Sequence, residues 1–366
     1  ADFTASLDSE IKIQMQFKPS DYAAHPLCAE DFELLQVVGK GSFGKVMQVR
    51  KKDTGRIYAM KILKKSHLIE RDEVGHTRSE RHILEKNTNP FLVGLKFSFQ
   101  TPEKLYLVLD YVNGGELFYH LQSESKFSLD RSKFYAAQLL TAIDDLHSMD
   151  VIYRDLKPEN ILIDFDGYIA LTDFGLCKEN VKFNETTNTF CGTPEYMAPE
   201  VLQQKGYGPA VDWWTLGILL YEMLTGLPPF YDENTNQMYH KILFGELEFT
   251  EEVPADGQAL ITGLLQRDPI QRLGYGETGA QDIKTHPFFA DINFEQLLQK
   301  KLKAPWRPQL ENHLDVSNFD PEFTQMPVQD SVVADSHLSR TVQDQFTGFT
   351  YVDDNEYLSA NGPKVA

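Results

Sequence analysis

Tyr153-Arg154-Asp155-Leu156-Lys157-Pro158-Glu159-Asn160, followed after a strand-turn-strand pattern by Thr172-Asp173-Phe174-Gly175, is the stretch on which the reading of this chain turns. Two aspartates and an asparagine are hard oxygen donors, and their spacing lets them converge on one spot. Mg²⁺ is usually held by one or two carboxylates together with substrate phosphates, and Asp173 and Asn160 suit that role. Asp155 is then free to accept a hydroxyl proton, and Lys157 to neutralise a transferring phosphoryl group. Any two of these residues can be ordinary turn residues. All four in order, behind the two features described next, exclude coincidence.

Towards the N-terminus, Gly39-Lys40-Gly41-Ser42-Phe43-Gly44 is a GxGxxG. The dinucleotide-binding form needs a helix to follow, but the alternating Lys45-Val46-Met47-Gln48-Val49-Arg50 reads as a strand. The loop therefore joins two strands, either as a flap over phosphates or as a plain hairpin turn. In Tyr58-Ala59-Met60-Lys61, period-two alternation puts Ala59 and Lys61 on one face. A small residue beside a long cation suits an adenine plane and a phosphate; it also suits a solvated strand face. Glu80, in a helical pattern over roughly Glu73–Lys86, offers Lys61 a partner, although an exposed charged helix fits equally well.

The rest of the chain sets the frame. It has 366 residues, 42% hydrophobic and 24% charged, with a net charge of −19. That is globular composition, and its sign repels phosphate backbones and acidic lipid, so no nucleic-acid partner is expected. Strand texture runs from Phe32 to about Leu109, and helical texture from Gly115 to about Phe289, with long periodic segments at Leu129–Met149 and Val211–Thr225. Ile11–Phe17 alternates as a strand, read as the remnant of an upstream domain or an added edge. The chain begins at Ala1 rather than Met, and missing upstream regions are a route to membrane recruitment of an otherwise cytoplasmic protein. Trp213–Tyr221, the longest apolar run, is too short to cross a bilayer and reads as a buried helix. Cys28, Cys177 and Cys191 form no disulfide framework. Cys177 and Cys191 flank the segment after Asp173, as two reduced thiols or as an inactivating pair. The histidines lack metal-ligand spacing.

On these motifs the chain resembles the protein-kinase family from about Phe32 to Phe289. The resemblance implies an α+β bilobal fold: a small β-rich N-lobe (32–109) carrying the family's αC helix, and a larger α-helical C-lobe (115–289). Around this kinase domain (32–289) lie an N-terminal strand or linker (1–31) and an extended C-terminal tail (290–366). Gly39, Lys40, Gly41, Ser42, Phe43 and Gly44 match the Gly-rich loop, Lys61 the strand lysine and Glu80 its helix partner. Asp155 matches the catalytic base, with Lys61 and Lys157 as further catalytic cations, and Asn160 and Asp173 the metal ligands. Val46, Ala59 and Leu162 are implied to sandwich adenine. The resemblance further implies that Leu109, Asp110 and Val112 belong to the hinge and that Glu116 and Glu159 complete the nucleotide contacts. Glu200 of Ala198-Pro199-Glu200 is implied to pair with Arg272. ATP and Mg²⁺ are the implied co-substrate and ion. Tyr153 stands where the general motif has His, as it commonly does in the closer relatives.

Thr189-Phe190-Cys191-Gly192-Thr193-Pro194-Glu195 and the ending Phe346-Thr347-Gly348-Phe349-Thr350-Tyr351 resemble the AGC group of serine/threonine kinases. Within it, the fungal Ypk kinases and the animal serum- and glucocorticoid-induced kinases are most similar. The resemblance marks Thr189, Ser331 and Thr350 as phosphorylation sites, modified by a phosphoinositide-dependent kinase and a TOR complex. It places Arg154, Lys178 and His76 around a phosphate on Thr189. Phe346 and Phe349 gain burial only by docking on the small lobe, each worth ~1.5–3 kcal/mol. Glu116, Glu159, Glu222 and Phe190 match positions facing a peptide substrate, and carboxylates there favour arginine, as in Arg-x-Arg-x-x-Ser/Thr. For Glu159 and Glu222 a buried structural ion pair is the competing reading. A monomer without a transmembrane segment is expected. A scaffold that signals by binding alone and a dinucleotide-dependent enzyme are the alternatives, disfavoured by the intact Lys61, Asp155, Asn160 and Asp173 and by the strand after Gly44.

Overall fold

Alternating apolar residues in the first part of the chain build one antiparallel sheet. The strands are β1 (Phe32–Lys40), β2 (Gly44–Lys51), β3 (Ile57–Lys64), β4 (Leu95–Gln100), β5 (Lys104–Asp110) and, from the tail, β8 (Tyr351–Val352), in the order β1-β2-β3-β5-β4-β8. This computed structural model describes residues 27–41, 44–330, 338–354 and 356. The pattern at 11–17, the loop-tip residues Ser42 and Phe43, and Ser331 lie outside the described residues. Register decides what each face carries. Val46 pairs with Lys61, Lys61 with Leu107 and Ala59 with Leu109, so these side chains share one face, which looks into the cleft. The opposite face carries Met47, Tyr58, Met60, Ile62, Tyr106 and Val108, packed with Phe32, Phe97 and Phe99 into a second core. Gly44 is obligatory: a Cβ there would lie 1.6 Å from the Ile62 carbonyl oxygen.

Two helices follow β3: α1 (Lys65–Glu70) and α2 (Val74–Lys86), the latter burying Thr77, Glu80, Ile83 and Leu84. The large lobe begins with α3 (Leu117–Glu124) and α4 (Leu129–Ser148), whose N-cap Ser128 accepts from the Arg131 N–H. The hairpin β6 (Ile161–Ile163) and β7 (Ile169–Leu171) comes next. Then follow α5 (Pro199–Leu202), α6 (Ala210–Thr225), α7 (Thr235–Phe244), α8 (Ala255–Leu264), α9 (Gly279–Lys284) and α10 (Phe294–Leu298). The apolar run Trp213–Tyr221 lies within α6, which is buried almost all round, packs on α4 and α8, and stops at Gly226 in a left-handed conformation (φ 98°). Among the described residues no helix is long and apolar enough to cross a membrane.

The tail runs back over the small lobe. Tyr111 of the hinge donates to the Asp315 carbonyl (3.1 Å) and stacks on Phe319. Next, α11 (Pro321–Thr324) lies against β1, with Phe323 and Met326 covering the outer core. After α12 (Arg340–Asp344), Phe346 and Phe349 are 1% and 2% exposed. The Ser98 hydroxyl donates to the Phe349 carbonyl (2.6 Å) and the Gln100 amide to that of Phe346 (2.9 Å). Docking of these two aromatics is therefore the arrangement found, and β8 extends it as an added strand on β4.

Candidate active site

The catalytic stretch is fixed from below by a carboxylate that the sequence reading did not single out. Asp212, on the first turn of α6 and fully buried, accepts the backbone N–H of Tyr153 and of Arg154 (2.9 Å each) and meets His147 Nε2 at 2.8 Å. These bonds hold Arg154 at φ 69°, a left-handed conformation rare outside glycine. Its only local sign is an acid opening an apolar helix, and that reads as an ordinary N-terminal charge. Tyr153, wholly buried, donates its hydroxyl to the Thr172 carbonyl, tying the loop to the residue before Asp173; its ring meets Phe174 edge-on. Burial pushes the Tyr153 phenol well above its ordinary pKa, so it stays a donor.

Above this floor the predicted residues converge. Asn160 Nδ2 donates to both the carbonyl and the Oδ2 of Asp155 (2.8 Å each). That pairing assigns the amide and leaves Oδ1 free to accept. Lys157 Nζ lies 3.0 Å from Asp155 Oδ2 and donates to Thr193 Oγ1 (3.2 Å), which in turn donates to Asp155 Oδ1 (3.3 Å). Thr193, unassigned from sequence, thus closes a ring around the carboxylate. The Thr172 N–H bonds the Asn160 carbonyl (2.9 Å), so Asp173 follows directly beside Asn160. Asp173 sits at φ 58°.

Across the cleft, Lys61 Nζ is 2.7 Å from Glu80 Oε1. Burial pulls the Lys61 ammonium down, but the carboxylates of Glu80 and Asp173 together outweigh it and hold Lys61 above the usual lysine value. Asp173 therefore acts on the small-lobe cation from the large-lobe side. Leu109 and Val112 are buried at the hinge, Val46, Ala59 and Leu162 are half-buried, and Lys40 and Gly41 are exposed at the loop, where the Gly41 N–H bonds the Gly44 carbonyl (3.0 Å). Asp110 is held by Lys96 and accepts from the Gly94 N–H. Among the described residues no group of three or more His, Cys, Asp or Glu side chains is arranged to hold a metal. The donor set present, one carboxylate and one free amide oxygen, fits a hard cation that also takes phosphate oxygens.

The acids that the resemblance sets facing a peptide divide. Glu116 opens α3 beside Leu162 and, like Glu159, is exposed. Desolvation and the Glu159 charge both raise the Glu116 carboxyl. Glu222 is buried and accepts from the Tyr196 hydroxyl (2.6 Å). Burial, with Glu159 and Glu195 nearby, raises it to about 7. Its partner is a phenol, not the structural ion pair of the competing reading. Glu200 does form such a pair, bidentate with Arg272 at 2.6 and 2.9 Å, as the resemblance implies. Phe190 and Thr189 are exposed, and the Tyr207 hydroxyl donates to the Thr189 carbonyl (2.6 Å). Arg154 bonds the Leu176 and Cys177 carbonyls and Tyr207, while His76 is held by Glu73 rather than turned to Thr189. Cys28, Cys177 and Cys191 are free thiols.

The protein-kinase-domain model matches residues 32–289 and the protein-kinase C-terminal-domain model residues 310–351. The chain belongs to the protein-kinase family. It is 59% identical to the serine/threonine-protein kinase gad8 of Schizosaccharomyces pombe over 342 residues, 93% of this chain and 59% of that protein. Against the serine/threonine-protein kinase YPK1 of Saccharomyces cerevisiae it is 56% identical over 352 residues, 96% of this chain and 51% of that protein. With the serine/threonine-protein kinase sgk-1 of Caenorhabditis elegans it shares 51% over 332 residues, 90% and 72% of the two chains. The kinase domain is thus of the AGC serine/threonine group, with relatives of the Ypk and serum- and glucocorticoid-induced type. The chain spans 59% and 51% of the two fungal relatives' lengths.

Proposed function

We propose that this chain transfers the γ-phosphoryl group of ATP to serine or threonine hydroxyls in proteins carrying upstream arginines, of the Arg-x-Arg-x-x-Ser/Thr kind. The observation that supports this best is the closed ring on Asp155, made by Lys157, Asn160 and Thr193, opposite a Lys61–Glu80 pair on which Asp173 acts. Asp155 orients the acceptor hydroxyl and takes its proton as the oxygen bonds to phosphorus and the bond to ADP breaks. Lys157 offsets charge on the transferred group, and Lys61, with the glycine loop, positions the phosphates. Asp173 and Asn160 would hold Mg²⁺, which when bound supplies charge neutralisation on the phosphates. Glu116, Glu159 and Glu222 would receive arginine guanidinium groups, and exposed Phe190 the residue after the acceptor.

Regulation belongs to the same proposal. Phosphate on exposed Thr189 adds nearly two negative charges to a segment whose backbone already accepts from Tyr207 at Thr189 and from Arg154 at Leu176 and Cys177. Ser331 and exposed Thr350 are the proposed tail sites, with a phosphoinositide-dependent-type kinase and a TOR complex upstream. We place the protein in the cytoplasm as a monomer. The test is turnover of an Arg-rich peptide followed by mass spectrometry. Asp155→Asn is expected to lower kcat by about 10²-fold or more while ATP binding survives. An Asp155→Asn protein with undiminished turnover, or a wild type indifferent to upstream arginine, would overturn the proposal.

A further inference from the structure

Helix α2 carries Ser79, Glu80 and His82 in close succession. Glu80 meets Lys61. Ser79 and His82, three apart and so on a neighbouring face, both close on one carboxylate of the large lobe, Glu179. The Ser79 hydroxyl donates to Glu179 Oε2, and His82 Nδ1 lies 2.5 Å from Oε1. Glu179 is itself firmly mounted. Its neighbour Lys178 exchanges two backbone bonds with Ile152 (2.9 Å each), directly ahead of Tyr153-Arg154-Asp155, and the Val181 N–H bonds the Asp150 carbonyl (3.1 Å). On this side α2 borders open space, with Arg81 lying 5.9 Å over the Tyr351 ring of the tail. A cavity of about 440 Å³ separates Gly75, Arg78, Ser79, Arg81, His82 and Glu179 from the tail at Phe346–Phe349.

We propose that Glu179 is a positioning residue for phosphoryl transfer: through Ser79 and His82 it ties α2 to the frame that carries Asp155, setting the height at which Glu80 meets Lys61. The carboxylate is a strut between the two lobes' halves of the site and touches neither substrate nor ion. This rests on the phosphoryl-transfer reading of the cleft.

The test is a double-mutant cycle on the full chain at equal phosphorylation, read by intact mass, with kcat and the KM for ATP measured on an Arg-rich peptide. Glu179→Ala is expected to lower kcat about tenfold. Ser79→Ala combined with His82→Ala should reproduce that loss, since it removes the other end of the same bonds. In a Glu80→Gln background, Glu179→Ala should cost less than about twofold, because the pair it serves is already gone. A merely structural role would instead let the two losses multiply, and that result would overturn the proposal. So would an unchanged kcat in Glu179→Ala beside an active wild type. A wild type without turnover would fail the phosphoryl-transfer reading itself.

Discussion

The catalytic loop and helix α2 each bring one carboxylate to the cleft, Asp155 and Glu80, but the two are held by unlike means. Asp155 rests on a buried floor: Asp212 takes two loop N–H groups, Tyr153 bonds the strand end at Thr172, and Asn160 bonds Asp155 twice. Every tie belongs to the large lobe's own core. Glu80 rides on the middle of a helix bordered by a cavity, and that helix is tied to Lys61 through Glu80, to Glu179 through Ser79 and His82, and to the tail through Arg81 over the Tyr351 ring. Asp155 is thus built into the large lobe's fold, whereas Lys61 and Glu80 depend on contacts reaching from the large lobe and the tail. Control is most readily exerted where removal of a segment costs the rest of the fold least.

The largest expected effect breaks the rigid half. Asp212→Ala leaves two buried N–H groups and His147 without their acceptor, each orphan costing about 1–3 kcal/mol. Arg154 then loses the bonds that sustain its left-handed backbone. A melting midpoint several degrees lower and a kcat reduced about 10²-fold are expected, as for a misplaced catalytic group. An Asp212→Ala protein within threefold of wild-type kcat would show that the floor does not fix Asp155, and the contrast would fall.

The half held by those contacts should respond differently. Phe346→Ala with Phe349→Ala empties the groove beside α2, and each truncation costs about 3–5 kcal/mol of local packing. That cost falls on the docked segment, so amide exchange in 340–354 should accelerate while exchange in α4 and α6 stays slow. Turnover is expected to drop about tenfold through the Lys61–Glu80 geometry. Uniformly faster exchange across both lobes would mean that tail and core are one cooperative unit.

The same contrast explains what the sequence made legible. Asp155, Lys157, Asn160 and Asp173 could be read because the chemistry demands fixed residue types in short runs, and strand alternation placed Ala59 and Lys61 on one face before any register was known. Asp212, Thr193 and Glu179 could not, since their partners lie 59, 38 and 97 residues away in sequence. Strand β4 alternates as Leu95-Lys96-Phe97-Ser98-Phe99-Gln100, but Ser98 on its polar face is buried against the tail, a burial that the alternation does not announce. Helix α1 follows β3 with no break between them. Strand β8 has two residues and no pattern of its own, and it exists because Phe346 and Phe349 bring it to β4.

The smallest expected effect sharpens the contrast within the large lobe, where Glu222 is rigidly held yet titrates in a useful range. Burial raises its carboxyl from 4.5 to about 7, with the Tyr196 hydroxyl opposing and Glu159 and Glu195 adding to the shift. The folded protein therefore keeps a proton that the unfolded chain releases. Stability from this group is unaffected below pH 4.5 and falls as pH rises from 4.5 to about 7. Substrate capture runs the other way, because only the ionised carboxylate attracts a guanidinium strongly. For a peptide with two upstream arginines, kcat/KM should climb by at most about fivefold as pH passes 7, and hold level above it. On the proposed arginine-binding role of Glu222, replacing the arginine it would receive, or Glu222→Gln in the protein, should flatten that limb, whereas replacing the other arginine should leave it in place. If the climb persists unchanged in Glu222→Gln, the titrating group is another acid of the cleft, and the buried carboxylate serves Tyr196 alone.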